Sequence, residues 1–120
     1  MDPKQSRANK RKGSGWEVEL VDYFRDRDLV AERLRLTGSA DEGDLWFFKD
    51  KKFFVVEAKN TKGFLPGQWI KEAVVEAENW LKKRKSKGPA IPIVIAKRRQ
   101  HGVGKAYVIL ELDTFMEVIE

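Results

Sequence analysis

The sequence predicts an α/β domain in which a central mixed five-stranded β-sheet is flanked by helices, in the element order αβββαββ. Two stretches carry apolar residues at helical spacing, and five short apolar runs have the character of strands. Glycine, proline and charged residues separate these segments, as turns require. A length of 120 residues fits one domain, which we place at residues 13–120, after a flexible basic arm at residues 1–12.

The first predicted helix covers residues 14–27. Ser14 and Glu17 match a capping box, in which the two residues satisfy each other's backbone groups. The second helix covers residues 68–85 and ends before Gly88-Pro89. Its apolar residues recur at a spacing of three and four, which is typical of a helix that packs one side against a sheet. A short helix that Asp113 would cap is expected at the end of the sequence.

The predicted strands alternate or are continuously apolar. They cover residues 30–36, 44–48, 53–59, 91–96 and 106–111. The second and third strands are joined by the short charged turn 49–52, so they are predicted to form a hairpin. The apolar run in the third strand indicates that both of its faces are covered.

Composition limits the kinds of site that this chain can form. It has no cysteine and a single histidine, His101, which excludes disulfides, thiolate zinc sites and multi-histidine metal sites. A metal would therefore be held by carboxylates, which favours Mg²⁺ or Mn²⁺. No apolar run is long enough for a membrane span, and the basic start of the chain has no apolar leader, so an intracellular protein is expected, in the cytoplasm or in that of a host.

Basic residues outnumber acidic ones and are clustered. Lysine and arginine total 24 against 19 for aspartate and glutamate, a formal charge of +5. Clusters occur at residues 4–12, 49–52, 82–87 and 97–105. Each cluster alone can be solvated surface, but four of them on one small domain favour a polyanionic partner.

The strongest chemical signal is Asp44 followed by Glu57-Ala58-Lys59. Glu57 and Lys59 share one face of a strand, and a hairpin can place Asp44 beside them. Two carboxylates can hold a divalent cation beside a phosphodiester, and a lysine can orient water and stabilise developing charge. The alternative is a same-face ion pair on a surface strand, with Asp44 as an acidic loop residue.

Two further polar residues could join this group. Glu17 lies on the buried side of the first helix, with Leu20, Val21 and Phe24, so its carboxylate could point towards the sheet. The capping box explains Glu17 equally well, and the two roles are compatible. Gln68, in the first turn of the long helix, could face the site or simply be a polar residue at a helix start.

Together these residues resemble the PD-(D/E)xK nuclease superfamily and, within it, the archaeal-type Holliday junction resolvases and their phage relatives. The resemblance spans about residues 11–60 and comprises Arg11-Lys12-Gly13 before Glu17, then Ser39, Gly43-Asp44 and Glu57-Ala58-Lys59. Arg11-Lys12-Gly13 is the most specific part. Gly43 departs from the pattern, because the superfamily motif has proline before the aspartate.

The resemblance implies a restriction-endonuclease-like core and a homodimer that cuts four-way DNA junctions with Mg²⁺, or with Mn²⁺ in its place. It implies a metal held by Glu17, Asp44, Glu57 and Ala58, with Lys59 and Gln68 as further catalytic residues. The residues expected to contact DNA are Arg7, Lys10, Arg11, Lys12, Ser39 and Lys62.

Other functions remain compatible with the same residues. A nicking, repair or restriction-like nuclease would use an unchanged site on a different DNA substrate. A non-catalytic DNA-binding module would use the basic clusters alone, and its acidic residues would be structural. An RNA-binding protein ranks last, because the sequence has no aromatic ribonucleoprotein motif.

Overall fold

A computed structural model describes residues 15–34, 43–85 and 88–120 of the chain. Helix α1 is described over residues 15–25. The elements that follow are β1 (Val30–Arg33), β2 (Leu45–Lys49), β3 (Lys52–Lys59), α2 (Pro66–Arg84), β4 (Ala90–Ala96), β5 (Tyr107–Ile109) and α3 (Leu112–Ile119). The predicted class, the five-stranded sheet and the order αβββαββ are confirmed, with α3 as the short final helix.

The sheet is mixed, with its strands in sequence order β1-β2-β3-β4-β5. In the described part of the chain, β3 and β4 pair parallel, and the other neighbouring strands pair antiparallel. A parallel pair needs a crossover that returns the chain to its starting edge, and α2 provides it. The carboxyl ends of β3 and β4 therefore lie at the same edge of the sheet.

Helix α1 covers one face of this sheet. Its Trp16, Leu20 and Val21 are buried against alternate residues of the strands, including Phe54 and Val56 of β3. The Trp16 indole nitrogen also donates a hydrogen bond of 3.4 Å to the carbonyl oxygen of Ile95. This contact fixes the first turn of α1 over β4.

Helix α2 covers the opposite face. Its Ala77 and Trp80 pack on Val55 of β3, and its Trp69 and Ala73 pack on Val94 and Ala96 of β4. Because side chains alternate along a strand, Glu57 and Lys59 project to the same face as Val55, towards α2. The polar end of β3 is thus placed against the first half of α2.

Some boundaries differ from the sequence prediction. Helix α2 begins at Pro66 rather than Gln68, because proline fits the first position of a helix, where its missing N–H is not needed. Strand β5 has three residues, fewer than predicted. Helix α3 has Glu111 at its N-cap without a side-chain cap, and Asp113 lies inside the first turn. The basic arm and Ser14 lie outside the described residues.

Transmembrane character is not found in the described ranges. No helix there combines the length and the apolar surface that crossing a bilayer demands.

Candidate active site

The β2–β3 hairpin places Asp44 beside Glu57. Its turn residues, Asp50 and Lys51, both have positive φ, 51° and 64°, as a two-residue type I′ turn requires. This turn fixes a register in which Leu45, the first residue of β2, pairs with Val56, so Asp44 enters β2 next to the end of β3.

Asp44 is held by hydrogen bonds on both sides of Glu57. Its backbone N–H donates to the Val56 carbonyl at 3.0 Å. Its side-chain Oδ2 accepts from the Ala58 backbone N–H at 2.8 Å. Because these bonds lock the backbone and the carboxylate together, Asp44 is a preorganised group and not a loose loop acid.

Gly43 explains the departure from the superfamily's Pro-Asp motif. Its φ is +91°, a conformation that proline cannot adopt and other L residues rarely do. A Cβ on residue 43 would also lie 3.1 Å from Cγ1 of Val55 and 3.2 Å from the Val56 carbonyl oxygen. The backbone therefore approaches β3 so closely that glycine is the residue that fits before Asp44.

Glu57 and Lys59 share one face, as their spacing predicts, and form an ion pair. The Lys59 ammonium lies 3.1 Å from Oε1 of Glu57. The same ammonium lies 3.0 Å from Oε2 of Glu72, on α2. Glu57 is buried at the end of an apolar strand, where an unpaired carboxylate would be costly. Lys59 thus joins the end of β3 to α2.

The two carboxylates keep Lys59 positively charged. Burial acts to lower the pKa of the Lys59 ammonium, but the hydrogen bonds and negative charges of Glu72 and Glu57 outweigh burial and raise that pKa above its usual 10.5. The hydrogen bond from Lys59 in turn lowers the pKa of the Glu72 carboxyl, against a smaller opposing effect of burial. At neutral pH the site therefore contains a fixed cation that does not act as a base.

Gln68 reaches this cluster through Glu72. Its amide nitrogen donates a hydrogen bond of 3.2 Å to Oε1 of Glu72, whose other oxygen accepts from Lys59. Its predicted position facing the site agrees with this chain of contacts. A catalytic role for Gln68 stays a prediction.

Two of the three acidic residues of α2, Glu72 and Glu76, lie near the site but were not predicted from the sequence. Glu72 pairs with Lys59, and Glu76 is buried with Oε2 3.5 Å from the position of a Cβ on residue 43. A signal was available, because Gln68, Glu72 and Glu76 recur every four residues and so share one side of α2. Glu76 also lies between Ala73, Ala77 and Trp80 on the apolar side, where an acidic residue is unusual.

Glu17 lies at the same end of the sheet but over its other face. Its Oε2 accepts hydrogen bonds from Nε and Nη2 of Arg33, at 3.2 and 3.0 Å. This pair ties α1 to the edge strand β1. Glu17 is therefore not brought into one group with Asp44 and Glu57, and its predicted metal role stays a prediction.

The predicted DNA-binding residues are only partly described. Lys62 lies exposed in the loop between β3 and α2, beside the site. Arg7, Lys10, Arg11, Lys12 and Ser39 lie outside the described residues. Their roles stay predictions.

The donor set suits a hard divalent cation. In residues 15–34, 43–85 and 88–120, no group of three or more histidine, cysteine or acidic side chains could hold a metal. Mg²⁺ needs fewer protein ligands, since it typically takes one or two carboxylates and completes its shell with water and substrate phosphate. Asp44 and Glu57 supply two carboxylates on adjacent strands, and the predicted contribution of Ala58 would be its backbone carbonyl. These residues fit Mg²⁺ or Mn²⁺.

Comparisons with known proteins give a structural likeness alone. No family model matches the chain, and no curated protein matches it. Among solved structures, the fold is similar to that of Hjc, a Holliday junction resolvase from the archaeal hyperthermophile Archaeoglobus fulgidus. The TM-score is 0.53 at 14% identity, over 78% of this chain and 71% of that chain. The chain thus has an α/β fold with a five-stranded mixed sheet flanked by helices, like that of the resolvase.

Proposed function

We propose that this chain is a divalent-metal-dependent endonuclease that cuts four-way DNA junctions. The observation that carries the proposal is that Asp44 is hydrogen-bonded to the residues on either side of Glu57, which itself pairs with Lys59, in a fold similar to that of a Holliday junction resolvase. These are the group types that phosphodiester hydrolysis needs. The formal charge of +5 and the basic clusters suit a phosphate backbone.

Each residue has a defined task in the proposed reaction. Asp44 and Glu57 would hold Mg²⁺, with the Ala58 carbonyl as a third donor. Bound there, the cation supplies positive charge that polarises a phosphoryl oxygen and lowers the pKa of water. Asp44 is fixed in advance by its hydrogen bond from Ala58, which lowers the cost of assembling the site.

Lys59 would stabilise negative charge that develops on the phosphate. Its raised pKa keeps it a cation throughout the pH range in which DNA is handled, so it would donate hydrogen bonds to the phosphate or to the attacking water. Glu72, supported by Gln68, would position the ammonium. Lys59 therefore serves as an electrostatic group, and a proton acceptor must be sought elsewhere.

The proposed enzyme is a C2 homodimer, because a four-way junction must be cut on two strands and two related sites do this most simply. Helix α3 offers a surface for it. Leu112, Phe115, Met116 and Ile119 are all exposed apolar residues, and their spacing of three, four and seven places them on one side of the helix. Two such stripes can cover each other across a two-fold axis.

A panel of DNA substrates tests the proposed function. Four-way junction, flap, nicked duplex and linear duplex are incubated with the protein in Mg²⁺, in Mn²⁺ and in a chelator. We expect paired cuts near the branch point of the junction, with either metal and not in the chelator. Equal cutting of linear duplex would instead indicate a nuclease of another kind with the same site.

A non-catalytic DNA-binding module is the second candidate. It is favoured by the pairing of Lys59 with both Glu57 and Glu72, a network that can be purely structural. Calorimetry with Mg²⁺ or Mn²⁺ separates the two candidates. Metal binding that disappears in Asp44→Asn and Glu57→Gln supports the nuclease, whereas DNA binding without metal binding or cutting supports the module.

A further inference from the structure

A pocket of about 270 Å³ adjoins Lys59 at the carboxyl ends of β3 and β4. Its walls come from the loop after β3, the loop after β4 and the first residue of β5. The carboxyl ends of parallel strands are a common place for ligands in α/β proteins. Its volume lies just below the ~300–1,000 Å³ usual for small-molecule sites, so it suits one small unit and not a double helix.

The lining of the pocket is strongly basic. It contains five lysine and arginine residues and no aspartate or glutamate: Lys59, Lys62, Lys97, Arg98 and Arg99. Lys59 is balanced by Glu57 and Glu72, and Lys97 lies 4.0 Å from Glu19. Within the described parts of the chain, Lys62, Arg98 and Arg99 form no salt bridge. Their charges are available to an anionic ligand.

Aromatic side chains stand among these cations. Phe64 and Tyr107 are 59% and 50% exposed, so their rings are accessible to a ligand. The Phe64 ring packs edge to face against the Trp69 ring, with 5.5 Å between the ring centroids. The Arg98 guanidinium lies 4.7 Å from the centre of the Tyr107 ring. The pocket thus presents positioned aromatic surfaces together with cations.

We propose that this pocket binds one unpaired nucleotide of the DNA strand that is cut. The base stacks against Phe64, and the adjoining phosphates contact Lys62, Arg98 and Arg99. Exposed aromatics beside a basic groove are the combination by which proteins hold single-stranded nucleic acid, because every base has a face that can stack. This inference rests on the proposed function and adds how that site selects its substrate.

The location of the pocket gives it a role in substrate choice. Because it adjoins Lys59, a nucleotide held in it lies next to the phosphodiester proposed to be cut. A nucleotide leaves its stack most cheaply where pairing is already interrupted, as at a branch point, and at a cost of a few kcal/mol in continuous duplex. The pocket therefore favours branched DNA over linear duplex without reading any sequence.

Calorimetry in a chelator tests this inference without cleavage. The wild-type protein is titrated with a single-stranded thymidine tetranucleotide, with an abasic tetranucleotide of the same backbone that lacks all four bases, and with inorganic phosphate. The same titrations are made with Phe64→Ala and with Leu65→Ala, a matched control whose exposed side chain is outside the pocket lining. Thermal melts establish that the variants are folded.

We expect loss of the base and loss of Phe64 each to weaken binding by roughly tenfold, the effect of one base–aromatic stack. Phe64→Ala should not weaken binding of the abasic tetranucleotide further, because the stack is already absent. Leu65→Ala should bind as the wild type does. Lys62→Ala should weaken the intact and the abasic tetranucleotides equally, since it removes a phosphate contact.

Three results would overturn the inference: equal affinities for Phe64→Ala and Leu65→Ala, equal affinities for the intact and abasic tetranucleotides, or full displacement of the tetranucleotide by phosphate alone. The binding readout needs neither metal nor cutting. Junction cutting by a protein whose pocket ignores the base would leave the proposed function standing and reject the pocket. A pocket that binds the base in a protein that cuts no DNA would reject the proposed function alone.

Discussion

At the scale of single residues, Lys59 is the centre of the candidate site. It contacts Glu57 on its own strand and Glu72 on α2, and these partners keep it cationic. A cation of this kind stabilises a phosphate without exchanging protons with it. The residue-level consequences can be measured on the folded protein even without DNA.

Replacing Glu72 should remove a pH-dependent contribution to stability. The pKa of the Glu72 carboxyl is lowered from 4.5, so its pairing with Lys59 stabilises the fold above that pH and is lost as pH falls through the lowered value. The raised pKa of Lys59 preserves the pairing up to at least 10.5. Glu72→Gln should therefore lower the free energy of unfolding at neutral pH, by less than ~1 kcal/mol because the pair is partly exposed and screened.

Urea denaturation at neutral and acid pH measures this contribution. Glu78→Gln is the matched control, since Glu78 is exposed on the same helix. The difference in free energy of unfolding between the wild type and Glu72→Gln should disappear at acid pH. The difference between the wild type and Glu78→Gln should not depend on pH. If the difference for Glu72→Gln persists below the lowered pKa of the Glu72 carboxyl, this glutamate stabilises the fold through packing and not through its charge.

Glu17 and Glu19 provide a second test on one helix. Glu17 pairs with Arg33, whereas Glu19 is exposed and lies 4.0 Å from Lys97. In the predicted metal role, Glu17 supports the metal from the other face of the sheet, at the end where Asp44 and Glu57 lie. Glu17→Gln should therefore slow single-turnover cutting roughly 10–100-fold, as loss of a metal-supporting group does. Glutamine still accepts a hydrogen bond from Arg33, so the melting temperature should change little.

Glu19→Gln should leave both the cutting rate and the melting temperature near wild type. Equal cutting rates for the two variants would restrict Glu17 to its pairing with Arg33. If only Glu19→Gln loses cutting, the side of α1 that supports the reaction is the one that carries Glu19 and not the one that carries Glu17.

Individual residues of the site could be read from the sequence as far as local geometry reaches. The alternation of a strand was enough to put Glu57 and Lys59 on one face, and the short turn was enough to bring Asp44 near them. The spacing of Glu72 could have indicated that it shares one side of α2 with Gln68, but its contact with Lys59 depends on how α2 packs over the sheet. The pairing of Glu17 with Arg33 likewise depends on where α1 meets the edge strand.

At the scale of elements, the β2–β3 hairpin holds the candidate site together. Its tight turn sets the register at one end, and Gly43 sets the approach of the chain at the other. The sequence showed that this residue departs from Pro-Asp, but it gave no reason. The positive φ of Gly43 and its contact distance to β3 supply that reason.

Gly43→Ala should therefore destabilise the protein and displace Asp44. The left-handed backbone costs ~1–3 kcal/mol for a residue other than glycine, and the close contacts with Val55 and Val56 add to this. Gly43→Pro, which restores the superfamily motif, should be worse, because proline is confined to negative φ. Denaturation gives the stability, and calorimetry gives metal affinity.

Gly63→Ala serves as the control, since a Cβ there meets nothing within 4 Å. Its stability and metal affinity should stay near wild type. Wild-type stability for Gly43→Pro would show that the backbone before Asp44 adopts another conformation in solution.

At the scale of the whole molecule, the fold class and element order could be predicted from the sequence. The spacing of apolar residues indicates each helix and strand locally, and the order of these elements indicates the class. The assembly is different, because the apolar surface that would join two copies is recognised only when the exposed side of α3 is known. The resemblance to a resolvase rests on a few short motifs in the sequence, and at 14% identity the comparison shows it at the level of the fold.

The proposed homodimer predicts that charge on α3 will separate the copies. Met116→Lys places a cation in the exposed apolar stripe, where burial against a second copy would be costly. Light scattering should give twice the chain mass for the wild type and the chain mass for this variant. Lys105→Glu, an exposed change before β5, should remain a dimer. A monomeric wild type at concentrations that cut junctions fully would contradict the dimer.

The most direct test of the account is single-turnover cleavage of a synthetic four-way junction in Mg²⁺ by Asp44→Asn and Glu57→Gln. Asp50→Asn is the control, because it removes a carboxylate from the far turn of the same hairpin, where φ of 51° suits asparagine. We expect the first two variants to lose cutting by roughly a hundredfold or more, because loss of a residue that merely supports a metal ligand already costs up to about a hundredfold. Their affinity for the junction should stay close to that of the wild type, since both changes alter metal binding and not the DNA surface. Near-native cutting by either variant, or an equal loss in Asp50→Asn, would contradict it.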